Sequence, residues 1–297
     1  MSASRDYLKT VMSLTILLFI LYSMFAIKPG YSRNGGLLFS NTFGGNGMDQ
    51  VHDFCITSDD GLLIVGSTTS FGVHEEDIYI IKINSSGGME WNITWGGWES
   101  DRGYSVIPTR DGNYVITGAS TVKYGNGDDV LFLKISGNGA VLSYNNYGGN
   151  AWDWGNDLVE LPNGDILIAG VTEDFWISYY DCYILRTSAK GKLVWKKTID
   201  VEGNFDLNKM IETRDGNYLL LGTASNKFNT NNDIILIKID ENGQELWRKT
   251  YGAEGRDEGA DIVYAENGYI ILGNRRENSL DGYDTIIIKI DNDGEFL

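Results

Sequence analysis

Residues 89–134 read MEWNITWGGWESDRGYSVIPTRDGNYVITGASTVKYGNGDDVLFLK, and the fold is decided there. The runs YSVIPT (104–109), YVITGAS (114–120) and DVLFLKI (129–135) are rich in β-branched and apolar residues; RDGN separates the first two, and a longer glycine-rich segment separates the second from the third. SGNG at 136–139 then opens a further run that ends at Tyr147-Gly148-Gly149. Asp-Gly and Asn-Gly between alternating strands are strong hairpin signals, because both residues reach positive φ at low cost. The stretch predicts a four-stranded antiparallel meander.

Outward from this unit the pattern recurs at a period of 52 residues. Gly66, Gly118, Gly170, Gly222 and Gly273 fall in one column, and Asp77, Asp129, Asp181, Asp233 and Asp284 in a second. A third holds Lys82, Lys134, Arg186, Lys238 and Lys289; the last unit is one residue shorter than the others. A sheet of this size with two apolar faces cannot stand alone and must stack on its neighbours. LLFSNTFGG (37–45) aligns with MEWNITWGG (89–97), so the array begins on a fourth strand, while the last unit reaches Gly294-Glu295-Phe296-Leu297 where its fourth strand would start. The expectation is an all-β, five-bladed β-propeller over 37–297, closed into a ring by strand 37–43 beside residues 259–290, which removes open edges. A piece of a longer array is the other reading.

The motif W-x-x-T-[WYF]-G-G-x-x-x-D, followed by D-G-[NG]-Y, the glycine column and D-[IV]-x-[IFL]-[IL]-K, is carried by Trp91, Thr94, Trp95, Gly96, Gly97, Asp101, Asp111, Gly112, Tyr114, Gly118, Asp129 and Lys134. It resembles the β-propeller repeats of bacterial and archaeal exported or surface-anchored proteins. The resemblance spans nearly everything after residue 34; it implies fold and surface location and is almost silent on chemistry. The fourth unit departs from it, with Asp200-Val201 in place of the glycine pair, so its loop is expected to differ.

The amino terminus addresses location. VMSLTILLFILYSMFAI (11–27) is uncharged, with Arg5 and Lys9 before it and Lys28-Pro29-Gly30 after it. At about 1.5 Å per residue such a helix nearly matches a hydrocarbon core of about 30 Å. Residues 1–28 are expected to be a membrane anchor and 29–36 a linker, with the repeats outside the cell. A cleaved signal is the rival, but no small-x-small site precedes Ile27. Basic residues on both sides leave orientation to the long polar domain that follows.

A net charge of −17 excludes nucleic acid as an ordinary partner, since such a field repels phosphate and no basic stripe exists. Cys55 and Cys182 lie in different units and read as small apolar side chains rather than a disulfide or metal pair. No nucleophile elbow, Walker loop or zinc spacing occurs, so no catalytic residue is assigned.

Repeated columns read first as architecture. The aspartates before strand three and the lysines near its end are expected to cap turns and pair, and Phe39, Trp91, Trp195 and Trp247 to pack between blades. Asp49, Asp101, Asp153 and Asp257, placed in the loops entering the inner strands, would bind Ca²⁺ if they converged, or else take backbone amides of their own loops. A second polar column runs Asp53, Ser105, Asp157, Lys209, Asp261.

Function is expected where the repeats disagree, on the face carrying the long loops. Trp98, Trp152, Trp154, Glu173, Asp174, Phe175, Trp176, Tyr179 and Tyr180 are the candidate ligand-binding residues, with TEDFWISYY (172–180) the best single segment. Aromatics beside carboxylates suit a glycan, a peptide or another surface protein. The competing classes are a glycosidase-like propeller using central carboxylates and a purely structural envelope component. No cofactor other than Ca²⁺ is implied.

Overall fold

Strands form where these runs are apolar on both faces, and they pair in the order the turns dictate. The computed structural model describes residues 39–73, 75–121, 127–173, 179–225, 231–277 and 282–297. Sheet one holds β1 (Asp49–Ile56), β2 (Leu62–Thr68), β3 (Asp77–Ile83) and β4 (Met89–Trp95). Sheet two holds β5 (Asp101–Pro108), β6 (Tyr114–Thr121), β7 (Asp128–Ile135) and β8 (Val141–Tyr147). Sheet three holds β9 (Asp153–Glu160), β10 (Ile166–Glu173), β11 (Tyr180–Thr187) and β12 (Leu193–Ile199). The fourth comprises β13 (Asn204–Glu212), β14 (Tyr218–Ser225), β15 (Asn232–Ile239) and β16 (Glu245–Tyr251), and the last β17 (Arg256–Ala265), β18 (Gly268–Arg276) and β19 (Asp284–Ile290). Each is an antiparallel meander, and a single parallel pair, Asn232 with Arg256, bridges the last two. The all-β meander architecture of a propeller is therefore observed.

Hydrophobic cores lie between successive sheets. Leu63, Val65, Ile78 and Ile80 of sheet one close on Val106, Ile116, Leu131 and Leu133 of sheet two. Equivalent clusters join sheets two and three through Phe132 and Ile168, three and four through Ile184 and Leu220, and four and five through Leu221 and Ile271. At about 25 cal/mol per Å² of apolar surface, these stacked faces are the main stabilising term. The outer tryptophans belong to the same packing: turn glycines Gly139, Gly243 and Gly294 of the following sheets lie against Trp91, Trp195 and Trp247.

Three buried lysines and an arginine tie the first four sheets internally, while Lys289 of the last sheet is exposed. Lys82, Lys134 and Lys238 reach the turn aspartates Asp59, Asp111 and Asp215 at 2.8, 2.7 and 2.7 Å, and Arg186 reaches Asp165 at 2.9 Å. The partner is thus the β1–β2-type turn of the same sheet. Cys182 is buried, Cys55 is half-buried, and both are free thiols.

Two expectations change. The fourth strand for the last sheet is not formed in the described part of 37–43: residues 39–48 carry no strand. Phe296 instead bridges Ile290, the register slot that Met89 holds against Ile83, and its ring meets Tyr251 at 5.5 Å. Ile287 is accordingly 67% exposed, whereas its counterparts Ile80, Phe132, Ile184 and Leu236 are fully buried. Second, Asp49, Asp101 and Asp153 are not loop residues but open their inner strands, paired with Thr68, Ser120 and Thr172. Their side chains accept from the preceding loop while their backbones are already in the ladder.

Phe43–Leu297 forms one unit; of the other, Met1–Thr42, only residues 39–42 are described. The anchor assigned to 11–27 lies outside the described residues, among which no helix is long and apolar enough to cross a membrane.

Candidate functional site

The glycine column explains how the inner strands present side chains to the axis. A Cβ on Gly66, Gly118 or Gly170 would overlap the carbonyl oxygen of Gln50, Arg102 or Trp154. That close approach accompanies a one-residue slip in each inner strand, which leaves His52, Tyr104, Asn156, Asn208 and Ala260 out of the pairing. Such bulges twist a strand and re-aim its side chains.

Beyond the slip, equivalent positions of different sheets touch, as they can only near a common axis. Ser105 Oγ lies 2.8 Å from Asp53 Oδ2 and 3.0 Å from Asp157 Oδ1. Asp157 Oδ2 also accepts from the Met210 amide (2.9 Å) and pairs with Lys209 (3.2 Å). Asp157, then Asp53 and Asp261, hold the Lys209 ammonium more tightly protonated than an ordinary lysine. Burial raises the carboxyls of Asp53 and Asp261 despite that cation.

On the other side of the slip, toward the long loops, one register position supplies five different side chains: Gln50, Arg102, Trp154, Asp206 and Glu258. Arg102 is clamped by Glu76 (2.5 Å) and Asp128 (3.5 Å), and Glu76 accepts from Ser67 (2.5 Å). His52 meets Tyr104 edge-on at 5.3 Å, and burial lowers its imidazole. Trp154 packs against Tyr180 with centroids 5.2 Å apart. Glu258 accepts from the Tyr283 hydroxyl at 3.1 Å, and Arg276 lies over the Tyr283 ring at 4.8 Å. Asp206 is open to solvent, yet the surrounding protein, followed by the charge of Glu258, pushes its carboxyl up to about 6. This register position thus supplies an aromatic side chain packed on Tyr180, an arginine held by two acids, and two further acids on successive strands.

The residues singled out from sequence distribute as follows. Trp154 and Tyr180 come together against the core between sheets three and four, with Tyr179 half-buried beside them in sequence. Trp98 and Trp152 stand on inter-sheet loops, 64% and 43% exposed. Glu173 fastens the second of these loops, its amide donating to Trp152 O (2.8 Å) and its carboxylate accepting from Trp152 N (3.4 Å). Beside it, a cleft of about 340 Å³ is lined by Asp153, Glu173, Tyr183 and Lys196. Asp174, Phe175 and Trp176 lie outside the described residues.

The four aspartates considered for calcium each accept a backbone amide four residues upstream: Gly45 to Asp49 (2.8 Å), and Gly97, Gly149 and Ala253 to Asp101, Asp153 and Asp257 (all 2.9 Å). No group of three or more potential metal ligands occurs among the described residues. In the fourth sheet Phe205 takes the aspartate's place and is buried with Val201, so the divergent loop is held by apolar packing.

Asp129 and Asp153 face each other across Gly148, and burial, then the charge of Asp153, lifts Asp129 to about 6. Between its ordinary value of 3.8 and about 6 the native state holds the extra proton, so stability falls as pH rises through this window and is level above it. Allowing for partial solvent contact, Asp129 should contribute about 1–2 kcal/mol. Thermal unfolding at pH 5 and 7 should show the acid sample more stable, and Asp129→Asn should narrow the gap; an unchanged gap would discard this assignment.

Gln50, Glu76, Arg102, Asp128, Asp206 and Glu258 were not among the sequence candidates. For Gln50, Arg102, Asp206 and Glu258 the signal lay in a column where the repeats disagree, next to the aspartate column, on an inner strand rather than a loop; Glu76 and Asp128 stand at the entry to third strands.

No protein-family model matches the chain, and no curated protein matches it. Among solved structures it is similar to the endo-arabinase of Bacteroides thetaiotaomicron, with 13% identity over 86% of this chain and 100% of that one and a TM-score of 0.46. It is also similar to the endo-1,5-α-L-arabinanase of Thermotoga petrophila (12%, 83% and 73%, TM-score 0.43) and to a variant of the Synechocystis apocarotenoid oxygenase (8%, 78% and 56%, TM-score 0.49). These proteins differ in chemistry among themselves, and a shared fold does not carry a shared reaction.

Proposed function

We propose that this chain is a saccharide-binding module, a five-bladed propeller tethered to the outer face of a membrane by residues 11–27, with its site at the axial mouth. One observation carries the reading: a single register position of the five inner strands carries glutamine, arginine, tryptophan and two acids. Architecture explains columns that repeat; a column that differs five ways beside them is freed from architecture. Trp154 gives a sugar ring a face to stack on, and the fixed polar groups around it suit hydroxyls. The apolar run at 11–27 supports the tether, and the exposed Trp98 and Trp152 extend the same face outward.

The test is intrinsic tryptophan fluorescence against a panel of neutral and charged oligosaccharides. At least one should shift the spectrum saturably, and Trp154→Ala should weaken that ligand by at least about tenfold, the loss of one stacked aromatic. A panel with no binder, or a binder indifferent to Trp154, would remove the proposal. One observation favours hydrolysis as a second reading: the surrounding protein, then the charge of Glu258, raises the Asp206 carboxyl to about 6, the direction a general acid needs. Release of reducing ends from a panel member would put that reading first.

A further inference from the structure

We propose that the outer edge of sheet three, from Lys190 to Lys197 with the cleft beside it, binds an acidic polysaccharide. A sugar carboxylate meets Lys196, its hydroxyls meet Glu173, and neighbouring units of the polymer run along Lys190, Lys192 and Lys197. This surface is separate from Trp154 and stands independently of the reading above.

Contrary to the expectation that no basic stripe exists, residues 182–199 hold Arg186, Lys190, Lys192, Lys196 and Lys197 and no acidic side chain, in a chain of net charge −17. Arg186 is taken by Asp165 at 2.9 Å. None of the four lysines is in an ion pair among the described residues. Lys190, Lys192 and Lys196 are exposed, and Lys197 is half-buried. Lys196 Nζ stands 5.7 Å from the centroid of the Tyr183 ring and Lys197 Nζ 5.5 Å from that of Trp195, supports that hold the stems without neutralising the charge. The other outer strands lack this feature. β4 carries a glutamate and no cation, β8 has no charged residue, and on β16 Arg248 and Lys249 are paired with Glu245 at 2.6 Å and Glu295 at 2.5 Å. A feature of one sheet alone is not required by the repeat.

The cleft of about 340 Å³ opens against the same strand, with Thr172, Glu173, Tyr183, Lys196, Lys197 and Thr198 in its lining. Glu173 accepts the Trp152 amide at a long 3.4 Å and has acceptor capacity left. A ligand that satisfies both this acid and the lysines brings hydroxyl donors and an anion together, and an acidic sugar carries both on one ring. Duplex DNA brings phosphates without free hydroxyls, at a charge density that the rest of this acidic chain repels. A bilayer presents a plane, whereas the lysines lie on both faces of one strand: Lys196 on the side of Tyr183 and sheet two, Lys197 on that of Trp195 and sheet four. A single polymer chain can follow such an edge.

The experiment measures binding of polygalacturonate, alginate and hyaluronate to the full chain in mild detergent by calorimetry at neutral pH and low salt. At least one should bind, with its carboxyl-methylated form at least about tenfold weaker, and about 0.5 M salt should weaken it by a similar factor. Lys196→Ala and, independently, Lys190→Ala with Lys192→Ala should each cut the affinity at least about fivefold while leaving the thermal unfolding curve in place. Trp154→Ala should leave this affinity unchanged, which separates the site from the one proposed above; a loss there would overturn the assignment to the sheet edge. If none of the three polymers binds, if the methylated form binds equally, or if the lysine variants bind like wild type, the proposal falls. Tighter binding of duplex DNA or of phosphatidylglycerol vesicles through the same lysines would overturn the polysaccharide as partner.

Discussion

Asp157→Ala should lower the unfolding free energy by about 2–3 kcal/mol, the cost of leaving the buried Met210 amide without its acceptor and the partly exposed Lys209 ammonium without its nearest partner. Asp157 is nearly inaccessible and serves three sheets at once: it takes the Met210 amide and the Lys209 ammonium from the fourth and faces the Ser105 hydroxyl of the second. Deleting it leaves that amide without an acceptor and that ammonium to Asp53 and Asp261 alone. The geometry around Ser105 sharpens the point. One hydroxyl carries one proton, yet Ser105 Oγ sits at hydrogen-bond distance from two carboxyls, at 2.8 and 3.0 Å. Both contacts are favourable only if one carboxyl carries a proton, and burial raises Asp53 in that direction. Urea denaturation measures the loss; Asp157→Asn, which keeps an acceptor for Met210, should lose less than the alanine variant. A loss below about 1 kcal/mol for alanine would show that the axial ring does not hold the sheets together.

Gly170→Ala should cost about 3 kcal/mol or more, although alanine is ordinarily well tolerated in place of glycine. The added methyl would overlap the Trp154 carbonyl, and the nearby Gly155 backbone leaves it no retreat. Repair means reversing the inner-strand slip. For a chain of this size each kcal/mol shifts the melting temperature by about 2–4 °C, so calorimetry should find a fall of several degrees or no folded protein. Gly149→Ala is the control, since nothing lies within 4 Å of its added carbon. Equal melting temperatures for the two variants would contradict the close approach. Because Gly170 presses on the residue that carries the aromatic platform, any folded Gly170→Ala protein should also bind saccharide more weakly than wild type.

The repeat made most of the fold legible. Turn chemistry at Asp111-Gly112, period-two apolar runs and the glycine, aspartate and lysine columns are local or recur locally, so one unit predicts the next. Asp49, Asp101, Asp153 and Asp257 drew attention because they repeat, and in the structure each is occupied by the amide four residues before it. Trp154 and Tyr180 were named for their chemistry, yet nothing in their spacing placed them in tilted contact while Trp98 and Trp152 stay exposed on loops. Gln50, Arg102, Asp206 and Glu258 were passed over because a strand interior was read as architecture.

By itself the sequence determined the strand-forming runs of the first four units and the first three of the last, their turns, their pairing order within a unit, and which faces must be covered by the next sheet. Those properties follow from φ preference and apolar period, which act over a few residues. Only the tertiary structure decided which inner-strand positions reach the axis, which acids find a cation there, and how the edge of the last sheet is filled. Each of those depends on groups brought together from units some fifty residues apart, where a one-residue slip against a glycine sets the direction of a side chain and its neighbours set its charge.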